Sequence, residues 1–345
     1  MPLADFSSDE LFYLPNLAQI STNGMKQLLS VPASNQSFGL QAMTEEIHAT
    51  FQIESIRSSR NSIRHILNGY APRNEEESRI YGMKRGLDFI ADRQNAITEE
   101  NLHQLYQISS GDYLPDEDRL LPDHFYRHDH VYVVGGEESR EGLPAQQLPD
   151  AMKRLVDFTN AKDGINELHK AAILHFAFAY YHPYFDGNGR TARLLHLWYL
   201  VQQGYPAALF TPFSRYIAES KSAYYKAYAR VEKNALISGY TDVTPFLSYF
   251  CNEVYNRLQV DVIPPQADLQ VYQTALANGK ITEKERLLWE YVLSAYGTEE
   301  FTTKQLEKDF RNAAYATIRT FVMKFHEMGL LATGKAGNRV YYKVR

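Results

Sequence analysis

With 345 residues, 44% of them hydrophobic, the chain can fold as two or three domains around sizeable cores, which excludes a disordered protein. Its 36 Lys and Arg against 41 Asp and Glu give a net charge of −5, too slight to imply a partner for the chain as a whole. Cys251 is the sole cysteine, the start Met-Pro-Leu-Ala-Asp lacks the pattern of a secretory leader, and no apolar run approaches the ~20 residues of a membrane span. A cytoplasmic protein without a membrane partner is expected.

Apolar residues at three-to-four spacing predict helices over 43–67, 74–92, 98–106, 150–160, 167–181, 194–201, 220–232 and 243–258. Between them, His130 to Val134 is β-branched and aromatic and is closed by Gly135 and Gly136, so it reads as one arm of a hairpin within 127–144. Ile263-Pro264-Pro265-Gln266 breaks any helix and reads as a linker. Beyond it, Thr282 with Glu285 and Thr302 with Gln305 form capping boxes for two helices, and a third over 313–328 ends at Gly329. Strands over 330–333 and 339–344 then flank a Gly-Lys-Ala-Gly-Asn turn, which is the element order of a winged helix-turn-helix. From Thr302 to Arg345, nine basic residues stand against three acidic ones, so a basic module sits on an acidic body. Such a module suits DNA, or protein contact and dimerisation.

The densest chemistry lies at 182–193, His-Pro-Tyr-Phe-Asp-Gly-Asn-Gly-Arg-Thr-Ala-Arg. Both flanks are apolar nearly all round, as in buried helices, so the run is the tight loop between them. Gly187 and Gly189 permit positive φ and inward-pointing N–H groups, and a helix starting near Arg190 turns its positive end to the same hollow. Such a loop cradles polyphosphate. His182, with an ordinary pKa near ~6.5, is a candidate general base; Asp186 is a hard oxygen ligand for Mg²⁺; Arg190 and Arg193, three apart, share a helix face and can grip phosphates.

The run resembles the signature of the Fic family, HPFx(D/E)GN(G/K)RxxR, with Tyr184 in the Phe position, where a buried hydroxyl needs a partner. The resemblance implies an autoinhibited protein adenylyltransferase that moves AMP from ATP to a Ser, Thr or Tyr hydroxyl of a protein, possibly itself. His182, Asn188 and Arg190 would be catalytic. Gly187, Asn188, Gly189, Arg190 and Arg193 would bind the nucleotide, and Asp186 the Mg²⁺. Gly189, where kinase members have Lys, favours adenylylation over phosphorylation. In the same family, paired tyrosines often line the adenosine; Tyr224 and Tyr225 stand in that place, although aromatics at helical spacing also read as core. A hairpin such as 127–144 serves relatives as a flap that aligns the target by strand addition, while a purely structural hairpin fits the residues equally.

A second stretch, Ala49 to Arg57, is similar to the family's inhibitory helix (S/T)xxxE(G/N), with Thr50 and Glu54 in the key places and Ser55 where Gly or Asn is usual. The resemblance implies that Glu54 pairs with Arg193 and blocks the γ-phosphate; an ordinary amphipathic helix is the alternative. The expected fold is therefore mainly α: an N-terminal helical region (1–95) carrying the inhibitory helix, a helical Fic-type core with a small hairpin flap (96–262), a Pro linker (263–266) and a winged helix-turn-helix (267–345). Two other functions remain open, a DNA-binding regulator with a nucleotide-sensing core and a transferase using another nucleotide donor. His169, His175 and His196 read as core residues, and no zinc site is expected.

Overall fold

A computed structural model describes residues 11–14, 17–20, 36–133, 140–258, 266–296, 300–310, 313–337 and 339–345. The chain divides into two compact units, Met1–Pro32 with Thr44–Gln259 and Ala33–Met43 with Val260–Arg345. Of the expected features, the hairpin tip at 134–139 and the Pro linker at 263–265 lie outside the described residues, as does the chain start.

Ten α-helices among the described residues build the first unit, the first of them entering it at Thr44: α1 (Gln36–Ile53), α2 (Arg60–Leu67), α3 (Glu75–Ala91), α4 (Glu99–Ser109), α5 (Leu148–Asn160), α6 (Glu167–Tyr181), α7 (Asn188–Gln202), α8 (Phe213–Glu219), α9 (Lys221–Ser238) and α10 (Thr244–Tyr249). Four two-residue strands complete it. β1 (Leu11–Phe12) pairs in parallel with β4 (Thr241–Asp242), and β2 (Tyr132–Val133) pairs antiparallel with β3 (Arg140–Glu141), Tyr132 opposite Glu141.

The single helix expected over 43–67 is two. Ser55 stands at φ +59°, and its N–H bonds to Gln52 while that of Ile56 bonds to Phe51, the 6→1 and 5→2 pair of a Schellman ending with Glu54 as the cap. α2 then starts afresh on Ser59, whose side chain accepts from the Ser62 N–H. This ending explains what the Gly or Asn position of the motif is for: it is a left-handed residue, here supplied by Ser55.

The core of this unit runs along α6 and α7, whose residues are buried on nearly every side. Asn166 caps α6 by accepting from the Leu168 and His169 N–H groups. Trp198 of α7 donates its indole N–H to the Asn95 carbonyl at 3.0 Å, fixing α7 against the segment after α3. His169, His175 and His196 accept core roles, bonded to the Ala18 carbonyl, the Tyr224 hydroxyl and the Tyr255 hydroxyl, each at 2.8 Å. Among the described residues no group of three or more His, Cys, Asp or Glu could hold a metal, and no helix is long and apolar enough to cross a membrane.

The second unit has α11 (Gln266–Ala277), α12 (Glu283–Ala295), α13 (Thr303–Phe310), α14 (Tyr315–Glu327) and an antiparallel hairpin, β5 (Leu331–Ala336) with β6 (Arg339–Val344). Its core gathers Leu288, Trp289 and Val292 of α12, Leu306 of α13, and Ile318, Phe321, Val322 and Phe325 of α14. The Thr282–Glu285 capping box is formed, and Gly329 ends α14 at φ +78°. The expected five-residue turn is tighter: Gly334, Lys335 and Ala336 continue β5, leaving Gly337 at φ +61°. Asn338 lies outside the described residues.

Candidate active site

The run 182–193 forms the connection between α6 and α7. His182 takes the left-handed conformation (φ +55°, ψ +61°) directly after α6, its N–H bonding to the Phe178 carbonyl. A non-glycine residue there is uncommon, and strain of this kind concentrates at functional sites. The chain turns back through Gly187 at φ +80° and enters α7 at Asn188, two residues earlier than expected. Gly189 is inside the helix and not at positive φ, so the expectation of a second left-handed glycine is corrected. A Cβ there would lie 2.7 Å from Glu54 Oε1, so a larger residue would have to displace the end of that side chain.

Asn188 is buried, with both ends of its amide committed to one backbone unit: Oδ1 accepts from the Tyr184 N–H at 2.9 Å and Nδ2 donates to the Tyr184 carbonyl at 2.8 Å. Its side chain closes the loop. Tyr184 is fully buried and stacks on Tyr106, ring centroids 3.6 Å apart, and its hydroxyl has no hydrogen-bond partner among the described residues.

His182 Nδ1 lies 3.2 Å from the Ala179 carbonyl, which can only accept, so Nδ1 carries the proton and Nε2 the free lone pair. Burial pushes the imidazole down to about 4; the Ala179 bond and Asp186 oppose this, while the Arg140 and Arg127 charges add to it. The ring is thus neutral across the physiological range.

Arg127, absent from the sequence expectations as a site residue, fastens this end of α6 to the hairpin. It is 2% exposed and donates from Nε to the His182 carbonyl at 2.8 Å, from Nη1 to the Asp129 carbonyl at 2.6 Å and from Nη2 to the Leu143 carbonyl. Its backbone N–H bonds to the Pro183 carbonyl. Arg140 of β3 donates to the Ala179 carbonyl at 3.0 Å and pairs with Glu232 at 2.8 Å. No sequence pattern marks either arginine, because their acceptors are main-chain carbonyls or lie far along the chain.

At the start of α7, Arg190 and Arg193 are buried and both meet Glu54. Arg190 Nε donates to Glu54 Oε2 at 2.9 Å and Nη2 to Asp186 Oδ2 at 3.0 Å. Arg193 Nη2 donates to Glu54 Oε1, and its Nε to Thr50 Oγ1 at 3.2 Å. The carboxylate therefore holds both guanidinium groups, where the resemblance implied only Arg193. Two cations and two anions balance, so the four side chains carry no net charge while Glu54 is in place.

Behind Thr50 lies a group that the sequence reading missed. Glu46, one turn before Thr50 on α1, is 3% exposed and accepts from Ser214 at both oxygens, the hydroxyl at 2.5 Å and the N–H at 2.8 Å. The spacing Glu46, Thr50, Glu54, four residues apart each time, was the available signal.

Asp186 is half exposed, paired only with Arg190 among the ion pairs described. One accessible carboxylate suits Mg²⁺, which keeps much of its water and binds through one or two carboxylates plus substrate phosphates. Tyr224 is 4% exposed in an aromatic cluster with Phe246 and Tyr249, its hydroxyl bonded to His175. Tyr225 is half-buried, within the electrostatic reach of Arg193 and Glu54.

Residues 96–200 match the Fic/DOC family model. Over 140 residues the chain is 29% identical to Protein adenylyltransferase Fic of Drosophila willistoni, a match covering 39% of this chain and 26% of that one. A second, over 138 residues at 29% identity, is to a probable protein adenylyltransferase of Aquifex aeolicus, covering 39% and 42%. The chain thus spans less than half the length of these curated relatives. The crystal structure of a Fic family protein from Desulfovibrio desulfuricans G20 shares the fold with a TM-score of 0.57 at 17% identity, covering 95% of this chain and 98% of that one. Fic-1 from C. elegans gives a TM-score of 0.50 at 20% identity over 74% and 71%.

Proposed function

Since the chain carries a Fic-family domain at residues 96–200, we propose that it is a protein adenylyltransferase held in check by its own α1. The observation that carries this reading is the paired occupation of Arg190 and Arg193 by Glu54 beside a neutral His182 with its Nε2 lone pair free. In the reaction, the acceptor hydroxyl of a protein, or of the chain itself, gives its proton to His182 Nε2 as its oxygen bonds to the α-phosphorus of ATP. The bond from that phosphorus to the bridging oxygen breaks, and pyrophosphate leaves. Gly187, the first-turn N–H groups of α7 and the two arginines cradle the phosphates, Asn188 keeps the loop in shape, and Tyr225, not Tyr224, offers a ring near the nucleotide. Asp186 is the residue to hold a Mg²⁺ ion, which neutralises phosphate charge when bound.

Autoinhibition follows from charge. A triphosphate needs the guanidinium groups that Glu54 occupies, and withdrawing Glu54 leaves the remaining three side chains at +1. The test is incubation of the full chain with labelled ATP and Mg²⁺, as wild type, as Glu54→Gly and as Glu54→Gly with His182→Ala. The reading requires label to rise with the first substitution and to fall by ~10²–10⁴-fold with the second. Equal labelling of all three refutes it. The chemistry of the acceptor, the use of ATP over another donor and a cytoplasmic location, suited to the lone buried Cys251, belong to the same proposal.

A second reading concerns the second unit, whose elements run in winged-helix order. Arg319 on α14 and Lys335, Arg339 and Lys343 on the hairpin are exposed, while Lys324 is paired with Glu285 at 2.8 Å. These exposed cations favour duplex DNA as the partner, bound through phosphates. Titration of the full chain with duplex across salt concentrations tests it: Arg319→Ala should weaken binding, and the absence of binding at low salt would assign the unit to protein contact.

A further inference from the structure

Resting on the reading of Glu54 as a brake, the geometry points to Glu46 as a positioning residue that fixes Arg193 in its restrained place through Ser214 and Thr50. Four groups form one hydrogen-bonded line. Arg193 Nε donates to Thr50 Oγ1 at 3.2 Å, Thr50 Oγ1 donates to Ser214 Oγ at 3.1 Å, and Ser214 Oγ donates to Glu46 Oε1 at 2.5 Å. All four side chains are buried.

The direction of the line is set by chemistry at its two ends. A guanidinium can only donate, and a carboxylate can only accept. Each hydroxyl between them must therefore take a proton contact from the arginine side and pass its own toward Glu46. The second oxygen of Glu46 is held by the Ser214 N–H at 2.8 Å, so both of its oxygens serve one residue of α8. Because Glu46 and Thr50 lie on one face of α1 and Glu54 caps the helix in line with them, the same contact that orders the hydroxyls also seats the helix whose cap reaches the arginines. A carboxylate buried without a cation in direct contact is costly unless it is fully hydrogen-bonded, and burial does push its pKa up. Its place at the acceptor end of this line is what its burial accomplishes.

An amide at position 46 cannot serve. Glutamine has one accepting end and one donating end, whereas Ser214 presents two donors, so one contact must become donor against donor or the hydroxyls must reverse. Reversal turns the Thr50 proton away from Ser214 and loosens the acceptor that Arg193 Nε uses.

The experiment compares Glu46→Gln with the parent in the 345-residue chain carrying His182→Ala, so that binding is read without turnover. The first measurement is the Arg193 Nε–H signal in nitrogen-labelled protein without nucleotide; Glu46→Gln should lose its protection from exchange with water. The second is ATP affinity, which should rise by about fivefold, the size of one net hydrogen bond, and should not rise further when Glu46→Gln is added to Glu54→Gly. Ser214→Ala, which interrupts the line without altering Glu46, should reproduce both effects and serves if Glu46→Gln does not fold. A protected Arg193 Nε–H in folded Glu46→Gln and Ser214→Ala overturns the inference whatever Glu54→Gly does. Failure of Glu54→Gly alone to raise ATP affinity, with the protection lost as expected, refutes the brake and leaves the positioning of Arg193 by Glu46 standing.

Discussion

The neutral state of His182 sets the pH dependence of transfer. With its imidazole at about 4 in the free protein, ~99% is neutral at pH 6 and ~90% at pH 5. At an ordinary pKa of 6.5 those fractions would be about a quarter and about 3%. The sign is fixed by which form acts: protonation removes the base, and a depressed pKa means that activity survives acidification until the pH nears the lowered value. Measured on Glu54→Gly, where the arginines are free, kcat/KM should therefore change by no more than about twofold between pH 8 and pH 5, against a fall of roughly 30-fold for an unperturbed histidine. The kcat profile should break at higher pH than the kcat/KM profile, because triphosphate beside the ring stabilises its charged form. Initial rates with labelled ATP and a fixed acceptor, with circular dichroism at each pH to confirm folding, give both curves. An acid limb in kcat/KM centred near pH 6.5 would refute the placement of His182 as a buried, neutral base.

Three further outcomes follow from the same contacts. Gly187→Ala places a Cβ at positive φ and 2.7 Å from that of Ser110, so it should lower stability by about 1–3 kcal/mol, read as a reduced denaturation midpoint; an unchanged midpoint would mean that the turn is not held as described. Tyr184→Phe removes a buried hydroxyl that has no partner among the described residues, so thermal melting should show equal or greater stability; a loss above about 1 kcal/mol would contradict its isolation. Acidification should destabilise the fold. His175, His182 and His196 are pushed down by burial, the last to about 3, so the unfolded chain binds more protons below pH 6.5 and stability present above that pH is lost as pH falls. Glu46, pushed up by burial, works in the opposite direction; a urea midpoint flat between pH 6 and 5 would count against neutral burial of the histidines.

The loop at 182–193 was legible because its chemistry is contiguous: turn, helix start and arginine pair lie within twelve positions. Thr50 and Glu54 were legible as a spaced pair, although the second partner, Arg190, was not, since which guanidinium a carboxylate reaches depends on how two distant helices cross. Ser214 lies 168 residues from Glu46, and no periodicity couples them. The break at Ser55 was hidden by apolar spacing that continues through it, because a left-handed cap changes one φ value without changing the pattern. Tyr224 and Tyr225 show the opposite difficulty. Adjacent residues on a helix point about 100° apart, so one ring enters the core as the other approaches the surface, and the sequence does not say which.

Arg127 gives the region its mechanical character. A guanidinium is flat and rigid, so the carbonyls of Asp129, Leu143 and His182 must all approach a single plane, as spokes meet a hub. Gly142 admits this crowding, for a Cβ there would lie 2.8 Å from Nη2. Two stretches flanking the hairpin and the residue that ends α6 are consequently one joint and cannot be displaced independently. A lysine could carry the same charge but could point at only part of that plane. Any force on the base of the hairpin, from solvent or from a polypeptide laid along its edge, is delivered to the backbone of His182 without passing through its ring.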